Sequence, residues 1–227
     1  MVENKEKQMS ETYVVGIILA IVGGYLDAYT YICRGQVFAN AQTGNMVLLG
    51  IQLAQGNFFR ALYYLVPIIT FFVGISFVEF IKSRFKINKT LHWRQIAIAI
   101  ELILLFGIAF LPQGRYNAIA IIVVSFVCSL QAQSFRKFNG NTYASTMCTG
   151  NLRSASEHFF RYSSLKNKEE LKVTLQYLII ILFFILGAII GCYLTNVYEV
   201  KSVLFSCFGL ALVLLLMTRK PEKSEDA

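Results

Sequence analysis

The stretch Tyr13–Cys33 reads YVVGIILAIVGGYLDAYTYIC, and Asp27 is its only charged residue. A helix needs about 20 mainly apolar residues to cross the hydrocarbon core of a bilayer, so this stretch is long enough to span it. It lacks the small-residue exit of a cleaved signal peptide, and Asp27 lies where such a peptide stays apolar. It therefore predicts a transmembrane helix.

Further apolar runs follow along the chain. The composition is 56% hydrophobic and 15% charged, whereas soluble domains have about 25% charged residues. The mean hydropathy is +0.57. The sequence thus predicts an all-α integral membrane protein with six transmembrane helices. The other five are Phe59–Ile81, Gln95–Leu111, Asn117–Phe135, Leu175–Val197 and Val203–Met217.

A tripeptide recurs in the two halves. Thr43-Gly44-Asn45 returns as Thr149-Gly150-Asn151, 106 residues later in a chain of 227, and each triplet follows an apolar run. Repeat one covers about 13–112 and repeat two about 116–218, with three spans each. An odd number of spans inserts the second repeat upside down. Many secondary transporters are built from inverted repeats, with the binding site near the midplane at their interface.

Basic residues predict the orientation. With both termini in the cytoplasm, 17 of the 21 Lys and Arg lie on that side, which is the positive-inside pattern. The tails 1–12 and 219–227 are then cytoplasmic. We interpret the net charge of +8 as topology and contact with anionic lipids, and we expect no nucleic-acid partner. The four basic residues predicted outside are Arg34, Arg60, Arg115 and Lys201.

Each TGN triplet is predicted to begin a short re-entrant or half-helix segment. Thr43 suits a helix N-cap, Gly44 permits close backbone approach, and Asn45 can donate and accept hydrogen bonds. Two helix N-termini meeting at mid-membrane would favour a carboxylate, another anion or a polar neutral solute. Small and polar residues that pack helices together are the alternative explanation. The second segment, 152–158, is more polar and could instead lie flat at the cytoplasmic interface.

The first half also carries a family resemblance. The residues at 24–28 (GYLDA), 35–45 (GQVFANAQTGN) and 48–50 (LLG) resemble the signature of the YoaK-like bacterial membrane proteins. The residues at 129–131 (SLQ), followed by the second TGN, resemble the second half of that family. The likeness covers about Tyr13 to Met217. It implies a multi-pass protein of the bacterial inner membrane, of unknown function and without catalytic residues to transfer.

Three ionisable residues are candidate site residues beside the TGN triplets. Asp27 lies about fourteen positions into the first span, and charged groups at such depth usually face a cavity or a partner. It is a candidate proton or cation carrier, or a packing carboxyl bonded to Thr30, Gln131 or Gln133. Glu101, expected nearer the inner face, could pair with Arg153, and Arg153 could bind an anionic solute or a lipid head group.

Other motifs give weaker signals. The five cysteines and two histidines show no metal-ligand spacing, so neither a metal nor a cofactor is expected. No partnered nucleophile or acid–base set indicates an enzyme. Gly187 and Gly191 form a GxxxG match, which either packs the monomer or forms a homodimer. The sequence favours a small-molecule transporter or permease, with a non-transporting scaffold or a lipid- or partner-binding subunit as the alternative.

Overall fold

The computed structural model describes residues 9–85, 92–143 and 146–218. The helices are α1 Tyr13–Cys33, α2 Gln42–Ala54, α3 Phe58–Phe85, α4 Trp93–Ile108, α5 Asn117–Ser134, α6 Cys148–Leu165, α7 Lys168–Tyr198 and α8 Val203–Thr218. Two short 3-10 turns, Met9–Glu11 and Glu199–Ser202, and an antiparallel hairpin, β1 Lys137–Phe138 with β2 Asn141–Thr142, complete the regular structure. Most of the predicted N-terminal tail and all of the predicted C-terminal tail lie outside the described residues.

The long helices have the composition of membrane spans. Four helical stretches in the described part of the chain are long and apolar enough to cross a bilayer, namely α1, α3, α5 and Lys168–Thr218, which contains α7 and α8. Large apolar side chains cover their outer surfaces, as Phe72 of α3 at 73% exposure illustrates. The prediction of an all-α membrane protein is confirmed at this level. The remaining predicted span corresponds to α4, which has 16 residues.

Helices α1 and α5 run in opposite directions. Arg34, at the end of α1, contacts the side chain of Asn117 at the start of α5. At the other end of the molecule Arg94 donates to the carbonyl of Ser134, which ends α5, and to Ser10, which precedes α1. The first helix of one half is therefore antiparallel to the first helix of the other.

The helix contacts match in pairs if α1, α2, α3 and α4 are exchanged with α5, α6, α7 and α8, respectively. Helix α1 packs most extensively on α7, and its counterpart α5 packs on α3. The pairs α2–α3 and α6–α7 correspond in the same way, as do α4–α5 and α8–α1, while α4 packs on its own counterpart α8. The contacts of α1–α4 thus have counterparts among the contacts of α5–α8.

Glycines allow the closest of these helix contacts. A Cβ added to Gly24 of α1 would overlap the carbonyl of Phe184 in α7, and one added to Gly187 would overlap the carbonyl of Ile21. Gly191 faces Tyr25 in the same interface. The GxxxG motif thus packs the chain on itself, and α1 occupies the face it could otherwise offer to a second copy. In the corresponding pair, Gly74 of α3 lies against Ser129 of α5.

Candidate functional site

The chain folds back along α1 after that helix ends. The side-chain amide of Asn40 donates to the carbonyl of Gly23 at 3.0 Å, and its backbone N–H donates to Asp27 Oδ1 at 2.7 Å. Gly23 lies ten residues before Cys33, which is about 15 Å along the helix. Residues 34–41 therefore return to the depth of the middle of α1 before α2 begins.

Asp27 is the residue that receives this loop. Its side chain is buried, and besides the bonded N–H of Asn40 the backbone N–H groups of Ala39 and Ala41 lie near the carboxyl group. Donors that follow one another at the start of a helix form a favourable site for a carboxylate. At the first TGN segment, this position is already occupied by a carboxyl group of the protein.

The partners expected for Asp27 were wrong. Thr30 donates to the backbone carbonyls of Leu26 and Asp27, and Gln131 donates to the carbonyl of Leu19. Gln133 reaches outward to Glu79. The sequence could not reveal the true partners, because they are backbone groups of a loop.

The first TGN triplet holds the same loop from its other side. Asn45 is fully buried, and its Oδ1 accepts from the N–H of Phe38 at 3.1 Å while its Nδ2 donates to the carbonyl of Phe38 at 2.7 Å. Gly44 lies against the Phe38 ring, which would approach an added Cβ to 3.1 Å. The expected donor and acceptor role of Asn45 and the close approach at Gly44 are confirmed.

Thr43 does not cap α2. That helix begins at Gln42 with Ala41 at the N-cap position, and no side chain caps it. Thr43 is the second helical residue and its side chain is exposed. The N-cap prediction was wrong because the helix begins earlier than the triplet.

The second triplet lies in the same helical register. Helix α6 begins at Cys148, so Thr149 is exposed and Asn151 is buried, like Thr43 and Asn45 in α2. Gly150 differs from Gly44, because no atom lies within 4 Å of an added Cβ. The Cys148 thiol lies within electrostatic range of Asp27. The first turns of α2 and α6 therefore both lie near Asp27.

Glu101 is the second buried carboxyl group. It is the ninth residue of α4, fully buried, and neither side-chain oxygen has a hydrogen-bond partner among the described residues. Helix α4 begins at Trp93, two residues before the predicted span, and Glu101 lies at mid-helix. Cys128 of α5 lies within electrostatic range of both Asp27 and Glu101. The two carboxyl groups therefore share one region.

Arg153 is separate from that region. Its Nε donates to Glu157 at 2.9 Å within α6, and its side chain is 82% exposed. The expected Glu101–Arg153 pair was wrong, because the basic side chain points away from the protein while the carboxyl is enclosed by it.

Arg34 is a buried cation that the sequence placed in an outer loop. It is fully buried, and its guanidinium donates to Tyr29 Oη at 2.9 Å and to the carbonyls of Ile108 at 3.1 Å and Leu111 at 3.0 Å. Carbonyls at the end of α4 carry the negative end of the helix dipole, which stabilises a cation. Most of its acceptors are backbone groups more than 70 residues away, so the sequence carried no signal for them.

The region between the carboxyl groups is rich in acceptors. Asn40 Oδ1 and both oxygens of Glu101 have no hydrogen-bond partner in the described residues, although buried polar atoms are nearly always paired. No group of three or more metal-ligating side chains occurs in the described ranges. The arrangement is suited to a species that supplies hydrogen-bond donors or a proton.

Comparison with known proteins places the chain in a family. The model of a family described as a protein of unknown function, DUF1275, matches residues 15–217. The UPF0700 transmembrane protein YoaK of Bacillus subtilis (strain 168) is 28% identical over 180 residues, covering 76% of this chain and 79% of the relative. No solved structure matches the chain. The resemblance seen in the residues at 24–28 and 35–45 is thus confirmed, and the chain belongs to the DUF1275 family of membrane proteins.

Proposed function

We propose that the protein is a small-molecule transporter of the bacterial inner membrane, with both termini cytoplasmic and its site at the midplane between two inverted repeats. The observation that carries the proposal is the return of residues 34–41 to Asp27 in the middle of α1. Irregular backbone at such depth is tolerated where it is buried in protein or lines a cavity. Discontinuous segments of this kind form the substrate sites of many secondary transporters.

The exchange of helix pairs between the halves supports the inverted-repeat part of the proposal. Helices α1 and α5 are antiparallel, and each packs on the long helix of the other half. In this proposal α2 and α6 are the two re-entrant half-helices. Each first turn has an exposed Thr and a buried Asn at matching positions, as expected of two equivalent segments.

The proposed solute is small and polar or anionic. The exposed Thr43 and Thr149 hydroxyls and the exposed backbone of Gly150 lie in the first turns of α2 and α6. The N-terminus of α6 can supply donors to a solute, whereas that of α2 already holds Asp27. Arg153 lies one turn further along α6 and can attract an anionic group. In this scheme Asp27, Asn45 and Asn151 hold the two segments in place, and the protein catalyses no reaction.

A membrane-surface role is the second candidate. Helix α6 exposes Phe160 and Leu165, each 72% accessible, beside Arg161 and Lys166. Apolar and basic residues along one helix are typical of a segment that lies in the bilayer interface and contacts anionic lipids. A lipid- or partner-binding scaffold would use this surface and would keep the TGN segments closed.

Uptake by purified protein in liposomes tests the transport proposal. We expect one or more members of a radiolabelled panel of amino acids, carboxylates, polyols and nucleosides to accumulate above empty liposomes. Asn40→Ala should reduce that uptake at least tenfold, because it releases the loop from Gly23. Asn57→Ala, at an exposed position after α2, is the matched control. Uptake that is unchanged by Asn40→Ala would contradict the proposed site.

A further inference from the structure

Glu101 and Asp27 are equally spaced in sequence from a contact that joins the ends of α4 and α1. Arg34 follows Asp27 by seven residues and Ile108 follows Glu101 by seven, and the Arg34 guanidinium joins the two chain segments through a 3.1 Å bond to the Ile108 carbonyl. Seven helical residues rise about 10 Å. Asp27 and Glu101 therefore each lie about 10 Å along the chain from the residue that makes this contact, and Cys128 is within electrostatic range of both.

No described cation compensates Glu101. Helices α5 and α8, which pack on α4, contain no charged residue, and their titratable groups are the thiols of Cys128 and Cys207. Asp27 of α1 is acidic. The charged residues of α3 lie near its two ends, and α4 itself has only Arg94 in its first turn besides Glu101. Arg34 is engaged by carbonyls and Tyr29.

An ionised Glu101 would be costly in this setting. The effective penalty for burying one ion is several kcal/mol even after relaxation, and buried carboxyl groups respond by taking up a proton or pairing with a cation. Among the described residues, Glu101 belongs to no group of three or more His, Cys, Asp and Glu side chains that could hold a metal ion. A proton needs one carboxyl oxygen.

Asp27 and Glu101 therefore have different roles. The Asp27 carboxyl accepts the backbone N–H of Asn40, so it holds the loop. Glu101 makes no such contact, and no hydrogen bond of the described structure has to break when its proton is exchanged. This reverses the expectation that placed proton carriage on Asp27.

We propose that Glu101 carries a proton at the middle of the membrane and exchanges it during the transport cycle, a role that rests on the proposed transport function. In the closed arrangement the carboxyl group is neutral. When water reaches Glu101 during the cycle, its O–H bond breaks with the electron pair staying on the oxygen, and the proton passes to that water. Reprotonation from the opposite side returns the neutral form.

Infrared spectroscopy of the purified, lipid-reconstituted protein tests this without any solute. We expect the carbonyl band of a protonated carboxylic acid at neutral pH, lost in Glu101→Gln and kept in Glu79→Gln, an exposed carboxyl paired with Lys82. Transfer to D2O should shift the band, because a proton carrier exchanges with water. A band unaffected by Glu101→Gln, or one that never shifts in D2O, would overturn the proposal.

If Glu101→Gln does not fold, carbodiimide labelling of the unmodified chain tests whether Glu101 is protonated. Dicyclohexylcarbodiimide adds to protonated carboxyl groups in apolar surroundings and leaves a stable adduct. We expect the adduct on Glu101 and none on Glu79, with labelling that slows as the pH rises. No adduct on Glu101 at any pH, in protein that remains folded, would exclude a protonated group there. Because neither measurement uses a solute, failure of the uptake screen would leave this result standing.

Discussion

The backbone N–H of Asn40 donates a 2.7 Å hydrogen bond to the carboxyl group of Asp27, thirteen residues earlier in the chain. This bond joins an irregular loop to the middle of a helix that has the length and composition of a membrane span. Unpaired polar backbone is costly in hydrocarbon, so Asp27 stabilises a segment that could not otherwise lie there. Asp27 thus stabilises the loop, in addition to its proposed place at the transport site.

Asp27→Asn should destabilise the loop. The asparagine amide keeps one acceptor oxygen. Its NH2 group replaces the other carboxylate oxygen and would face backbone N–H groups, which need an acceptor. Leaving such buried donors unpaired costs about 1–3 kcal/mol. Thermal unfolding in detergent measures the change, with Glu79→Gln as the exposed control, expected within about 1 kcal/mol of the unmodified protein. Equal unfolding midpoints for Asp27→Asn and the unmodified chain would contradict this role.

Asn45→Ala should release the loop from α2. The substitution removes the two bonds to Phe38 and the bond to Gln42, so the amide of Phe38 should exchange with deuterium at least tenfold faster. Hydrogen exchange read by mass spectrometry follows peptides from residues 34–41. Asn57→Ala, whose partners are exposed glutamines, should leave that exchange unchanged. Slow exchange in Asn45→Ala would mean that the loop is held without the triplet.

Arg34→Lys should lower stability despite the retained charge. A lysine has three donors and no planar fork, so it cannot reproduce bonds to Tyr29, Ile108, Leu111 and Pro112 together. Each lost bond from a charged donor is worth about 1.5–3 kcal/mol. The comparison variant is Arg115→Lys, which alters an exposed arginine beside Tyr116. Similar unfolding temperatures for the two variants would show that the hydrogen bonds of the buried Arg34 guanidinium do not contribute to stability.

Gly24→Ala should disrupt the α1–α7 contact. The new methyl group would overlap the Phe184 backbone, which cannot move as a flexible side chain can, and overpacking typically costs about 1–3 kcal/mol. Gly50→Ala, where nothing lies within 4 Å of the added Cβ, should be neutral or slightly stabilising in helix α2. Folded yield and unfolding temperature in detergent measure both. Equal behaviour would contradict the closeness of the two helices.

The helices were predictable because apolar run length is a strong signal. The first span was predicted at its observed bounds, Tyr13–Cys33, and the others to within a few residues except α7, which begins seven residues earlier, at Lys168. The first two turns of α7 are polar, so they lack the apolar run that predicts a membrane-spanning helix. The eight helices of the described chain include α2 and α6, which the TGN triplets indicated only as hypothetical segments.

The side-chain partners could not be predicted. Asp27 and Glu101 stood out as charges in apolar runs, but their surroundings depend on which loop and helices reach them. Asn40 gave no signal of its own, because asparagine is common in loops. The paired Asn45 and Asn151 were found by their repetition, and each is the fourth residue of its helix and buried.

Side-specific thiol labelling tests the central claim most directly. Single cysteines at the exposed, matching positions Thr43 and Thr149, in a chain whose five native cysteines are replaced, report whether each TGN segment faces water. Phe72→Cys is the control, since Phe72 lies on the apolar outer surface of α3 at 73% exposure and should contact lipid. We expect an impermeant reagent to modify position 43 from outside and position 149 from inside, with position 72 silent. If positions 43 and 149 stay silent from both sides in folded protein, the triplets only pack helices and the transport site is wrong.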